Sequence, residues 1–128
     1  MSLSETLMKA SKNLLMSSES DYPFEFFQWE GQADLTTEKL LELAGHPQDT
    51  SVEVVELDYL FRNVAQEKEW HDEAEKINVS SFQTLVKTLK ENLRDIKVYR
   101  VGTINIDVYI VGKADGSLAG LSTKLVET

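Results

Sequence analysis

There is no cysteine in the 128 residues. Disulfides, thiolate zinc sites and thiol nucleophiles are thereby excluded, and a reducing compartment is the natural expectation. Proline occurs only twice and glycine six times, which excludes collagen-like and Pro/Gly-rich low-complexity chains, and no internal repeat is visible. No apolar run is longer than a few residues, far short of the ~20 that a membrane-spanning helix needs. The early residues hold no basic stretch followed by an apolar one, so no secretory signal is visible and a cytoplasmic location is expected. The only two histidines, His46 and His71, lie far apart and in no metal-ligand spacing. Both read as surface or capping residues. Serines are plentiful, but no Gly-x-Ser-x-Gly elbow and no phosphate-binding glycine loop exists. The expectation is a protein without catalytic residues, without a cofactor and without a metal of its own.

What is present is an ordinary globular composition: 41% hydrophobic, 27% charged. The length suits one domain spanning residues 1–128. The formal net charge is −9, which argues against direct nucleic-acid binding, because polyanions select basic surfaces. The charge is unevenly placed. Glu19, Asp21, Glu25, Glu30, Asp34, Glu38 and Glu42 face one base, Lys39, in residues 19–42. Glu67, Glu69, Asp72, Glu73 and Glu75 form a second acidic block, while the chain from residue 77 onward is slightly basic. One reading is a solvated acidic surface; the other is a patch complementary to a basic partner.

The spacing predicts a first helix from a Ser2-Leu3-Ser4-Glu5 capping box, with Leu3, Leu7, Ala10 and Leu14 on one face, running to Ser17. Pro23 opens a strand through Trp29 with aromatics on both faces. Thr36 and Gly45 bracket a second helix. Val52–Val55 is a short strand, and Asp58 caps a short helix. A long helix starts near Trp70 and buries Ile77, Phe82, Leu85, Leu89 and Leu93. Three strands follow, the last two joined at Asp115-Gly116. Gly112, Gly116 and Gly120 read as hairpin glycines. Helices before and between strands, with strands covered on both faces, predict a three-layer α/β/α sandwich on a mixed sheet.

Several segments resemble the nuclease A inhibitor family. They are Leu14-Leu15, Ser18-Glu19-Ser20, Tyr22-Pro23-Phe24-Glu25, Trp29-Glu30-Gly31, Gly45-His46 with Gln48-Asp49, and Val98-Tyr99-Arg100 with Gly102. Asp107-Val108-Tyr109, Leu118-Ala119-Gly120, Ser122-Thr123-Lys124 and Val126-Glu127-Thr128 complete the set. The resemblance implies an α+β, PR-1-like fold and the inhibition of a sugar-nonspecific endonuclease of the ββα-metal class, as a monomer in a 1:1 complex. It also implies three partner contacts: Glu19 in the Ser-Glu-Ser loop, Trp70 at the start of the long helix, and Thr128, which approaches the nuclease's metal. The residues before Trp70, Glu67-Lys68-Glu69, depart from the family pattern. The alternative is an interaction domain of the same fold with a different basic partner.

Overall fold

The computed structural model describes residues 2–12, 14–17, 21–30, 35–62, 72–114 and 116–127. Its elements in chain order are α1 (Leu3–Ser11), β1 (Leu15–Ser17), β2 (Asp21–Pro23), β3 (Glu25–Glu30), α2 (Thr37–Ala44), β4 (Val52–Val55), α3 (Leu57–Leu60), α4 (Glu73–Asn92), β5 (Arg94–Val101), β6 (Asn105–Ala114) and β7 (Ser117–Val126). The chain is α+β, built on a five-stranded sheet of order β3-β7-β6-β5-β4.

All its strand pairs are antiparallel among the described residues. The expectation of a mixed sheet is therefore corrected. The reason lies in the connections. Only short segments join β5 to β6 and β6 to β7, and connections that short can join only antiparallel neighbours. The edge strands then add in the same sense, Phe27 opposite Gly120 on one side and Val54 opposite Tyr99 on the other.

Strict alternation along the central strands creates two cores. Ile106, Val108 and Ile110 of β6 point to one face, with Ala119, Leu121 and Leu125 of β7. They pack there with Leu7 of α1, Leu57 and Leu60 of α3, and Phe82, Leu85 and Leu89 of α4. Tyr99, Val101, Val111 and Leu118 point to the other face and pack under Leu40 and Leu41 of α2. Strands flanked on both sides explain why β3 carries aromatics in both directions: Phe26 joins the first core, Phe27 and Trp29 the second.

Local signals explain most element ends. The Thr36 hydroxyl accepts from the Lys39 N–H, and Gly45 closes α2 at φ 79°, where a side chain would be strained. The Asp72 carboxylate accepts from the Glu75 N–H at 2.8 Å and starts α4. Three expectations fail. α1 stops at Ser11 rather than Ser17, and residues 15–17 are a strand. α3 is capped at Glu56 without a side-chain bond, and Asp58 instead accepts from Lys90 Nζ at 2.9 Å. Ile77 is 67% exposed, because the buried stripe of α4 begins only at Val79.

Candidate functional site

The surface around β7 is built from segments that lie far apart in sequence. β1 and β2 form a hairpin outside the main sheet, with Leu15 opposite Pro23, Met16 opposite Tyr22 and Ser17 opposite Asp21. Residues 18–20, which include Glu19, connect its two strands. Leu14 and Phe24, both buried in the first core, flank the hairpin in sequence. Its second strand lies against β7, where the Thr123 hydroxyl donates to the carbonyls of Pro23 at 2.9 Å and Tyr22 at 3.3 Å. The Lys124 ammonium sits 6.0 Å from the centre of the Tyr22 ring.

Four residues beyond Thr123, Glu127 is held twice. Its N–H donates to Ile104 O at 2.9 Å. Its carboxylate accepts from Arg100 Nη2 at 2.5 Å, while Arg100 Nη1 donates to Glu53 of β4 at 2.7 Å. One guanidinium thus ties an edge strand to the residue that follows β7. Burial alone would lower the Arg100 pKa; the hydrogen bonds its guanidinium donates to Glu53 and Glu127, with their negative charges, outweigh it and hold the pKa above its ordinary value. At roughly 3.3 Å of rise per residue, Thr123 and Glu127 stand about 13 Å apart on one support.

Beside the hairpin, on the α2 face, lies a cavity of about 370 Å³ whose walls include Glu25, His46, Asp107, Tyr109, Ser122 and Lys124. Most of these belong to the segments that carried the family resemblance, brought together by the cross-strand row Glu25–Ser122–Tyr109. His46 Nε2 is hydrogen-bonded to Tyr109 Oη at 2.8 Å and lies 3.3 Å from Asp107 Oδ2. The expectation of a surface or capping His46 is corrected: α2 ends at Gly45 and drops the imidazole onto the sheet. Burial, and then the charge of Asp107, push the Tyr109 phenol up to about 12. The phenol therefore keeps its proton at neutral pH and serves as a fixed hydrogen-bonding post rather than a base. Phe27 and Trp29, with ring centres 4.5 Å apart, brace Tyr109 from the other side at 6.1 Å each.

Of the residues expected at the partner contact, Glu19, Trp70 and Thr128 all lie outside the described residues, as does His71. What the structure describes is the framework next to two of them: the hairpin that residues 18–20 complete, and Glu127, which precedes Thr128. Sequence reasoning missed the His46–Tyr109–Asp107 chain, since His46 lies more than sixty positions from the other two. It also missed Thr123, for which a signal existed. Along β7, Ala119, Leu121 and Leu125 face the first core, and Thr123 falls in the same alternation. A hydroxyl at a core-facing position must find a partner.

Taken together, these features define a small α+β protein that mounts a short hairpin and a clamped chain segment on the central part of its sheet. A family model described as nuclease A inhibitor-like protein matches residues 1–128, the whole chain. The chain belongs to the nuclease A inhibitor-like family. No curated protein matches it.

Proposed function

We propose that the protein inhibits a metal-dependent, sugar-nonspecific endonuclease of DNA and RNA, of the ββα-metal class. The observation that carries this reading is the family match over the full chain. Physical considerations support it. Such a nuclease needs a basic groove to hold phosphates and a divalent ion with open coordination positions. The acids of residues 19–42 occupy that groove where phosphates would otherwise sit. Glu19 enters the groove from the hairpin, Trp70 supplies an aromatic anchor, and the oxygens of Thr128 approach the hard metal ion of the nuclease. The inhibitor itself performs no chemistry; it acts from the cytoplasm as a monomer in a 1:1 complex, on a PR-1-like three-layer frame.

Electrostatic attraction between an acidic inhibitor and a basic groove acts mainly on encounter. Raising the salt concentration from about 50 mM to about 500 mM, where the screening length falls from roughly 14 Å to 4 Å, should slow association with the nuclease tenfold or more. The dissociation rate should change by less than about threefold. Stopped-flow measurement of both rates checks this. A salt effect confined to dissociation, or complex formation indifferent to salt, would contradict groove occupation by the acidic segment.

A further inference from the structure

The cavity on the α2 face holds more negative charge than its own groups neutralise. Glu25 of β3 and Asp107 of β6 both line it. They share one face of the sheet: Glu25 and Tyr109 both stand opposite Ser122 of β7, and Asp107 is two residues from Tyr109. Between the two acids β7 presents the small side chain of Ser122, which leaves the space open. Glu25 is exposed and takes part in no ion pair among the described residues. Asp107 reaches only His46, at 3.3 Å through Oδ2, and an uncharged imidazole cancels no charge.

Lys124 is the obvious counter-ion, and it is used elsewhere. Asp107 and Lys124 are direct cross-strand partners, the arrangement in which opposite charges normally meet. No ion pair joins them among the described residues, and the Lys124 ammonium lies 6.0 Å from the centre of the Tyr22 ring. Two carboxylates therefore remain for a cation from outside. The walls favour one kind. The Tyr22 and Tyr109 rings line the same space, and Phe27 and Trp29 brace the Tyr109 ring. A guanidinium is flat, stacks on aromatic faces and carries five N–H donors in one plane; an ammonium is a compact point charge. The volume of about 370 Å³ is at the small end for ligand pockets. It suits one side chain better than a nucleotide. A net charge of −9 draws basic protein surfaces to the mouth of this cavity.

We propose that this cavity receives an arginine side chain of the partner protein, its guanidinium paired with Asp107, flanked by Glu25 and stacked on an aromatic wall. That the partner is a nuclease rests on the inhibitor reading; the affinity of the cavity for a guanidinium does not. A groove that holds phosphates displays arginines, and an arginine seated in a desolvated pocket is a common form of interface hot spot. Asp107 and Glu25 are then specificity-determining residues, and Lys124 opposes the same ligand at short range.

Two measurements test it. The first titrates the free protein with methylguanidinium chloride and follows its backbone amide resonances, with sodium chloride at matched concentration as the control. His46, Asp107, Tyr109 and Ser122 should shift together, with a dissociation constant of about 1–50 mM for so small a ligand. Methylammonium should bind roughly threefold more weakly or worse. Asp107→Asn and Glu25→Gln should each weaken the probe about fivefold. Glu25 is exposed, so Glu25→Gln carries the test if Asp107→Asn disturbs the fold. Lys124→Gln should strengthen binding, because it removes the competing cation; a merely structural role for Lys124 would give the opposite sign. No shift at those four residues, equal binding of methylammonium, or an affinity indifferent to both acid variants would overturn the guanidinium site. The second measurement is inhibition of the nuclease. Asp107→Asn should weaken it about tenfold, and Lys124→Gln should tighten it. Wild-type inhibition by both acid variants would overturn the arginine contact. A wild-type protein that fails to inhibit would defeat the inhibitor reading alone, while the probe titration would still decide the cavity.

Discussion

Glu19→Lys is expected to weaken inhibition by about a hundredfold or more while leaving the melting temperature within a degree or two of wild type. Glu19 follows Ser18 and precedes Ser20 in a polar stretch of the chain, where a change of one charged side chain for another costs the fold little. Under the proposed function its carboxylate stands in for a phosphate in the basic groove of the nuclease. Truncating one partner of a close charge pair costs about 2–5 kcal/mol, and each 1.4 kcal/mol is roughly a tenfold change in affinity. Reversal adds repulsion to that loss, so Glu19→Lys should exceed Glu19→Ala by a further factor of about ten. Inhibition constants for the two variants, with melting curves as the folding control, check this. Wild-type inhibition by both would reduce Glu19 to a loop residue.

Gly120→Ala is expected to produce the largest loss of stability of any single methyl addition at a described glycine. A Cβ at Gly120 would collide with the carbonyl oxygen of Ile110 and stand 2.8 Å from its carbonyl carbon. The obstacle is backbone in a neighbouring strand, not a side chain that can swing aside. β7 is hydrogen-bonded on both edges, to β3 and to β6, so it cannot move away without breaking a ladder. Overpacking of this kind costs about 3 kcal/mol or more. In a domain of this size that lowers the melting temperature by roughly 10 °C. Gly116 is the control. Its φ is 83° and nothing lies within 4 Å of an added Cβ, so Gly116→Ala should cost only backbone strain, about 1 kcal/mol. Thermal unfolding followed by circular dichroism ranks the two; a Gly120→Ala protein as stable as Gly116→Ala would contradict the register of β6 on β7.

That contrast also shows where sequence reading ran out. Asp115-Gly116 announces the last hairpin from two residues. Gly120 reads the same way in sequence, yet it lies inside a strand, because its need is set by a neighbour ten positions away. Thr36, Leu40, Leu41 and Gly45 locate α2, since capping and helical period act within a few residues. The β1–β2 hairpin was illegible for the opposite reason. Leu3, Leu7, Ala10 and Leu14 keep a helical spacing past the point where the helix stops, and three-residue strands are too short to show alternation of their own. The sense of the sheet was misread because interleaved helices suggest crossovers, whereas the short β5–β6 and β6–β7 connections dictate antiparallel neighbours.

The site was legible in parts. Its acidic bias and its family segments are local properties of the chain. Their meeting around β7 is not: Tyr22, His46, Asp107, Tyr109 and Thr123 share one cavity wall only after the sheet has formed. Thr123 alone carried a readable signal, a hydroxyl in a row of aliphatic core positions.

The central claim is tested most directly by titrating a ββα-metal nonspecific endonuclease with the purified protein and following cleavage of DNA and RNA. Inhibition of both substrates should rise linearly with added protein and be complete near a 1:1 ratio. Undiminished cleavage at a large molar excess of the protein over a cognate nuclease would contradict the account.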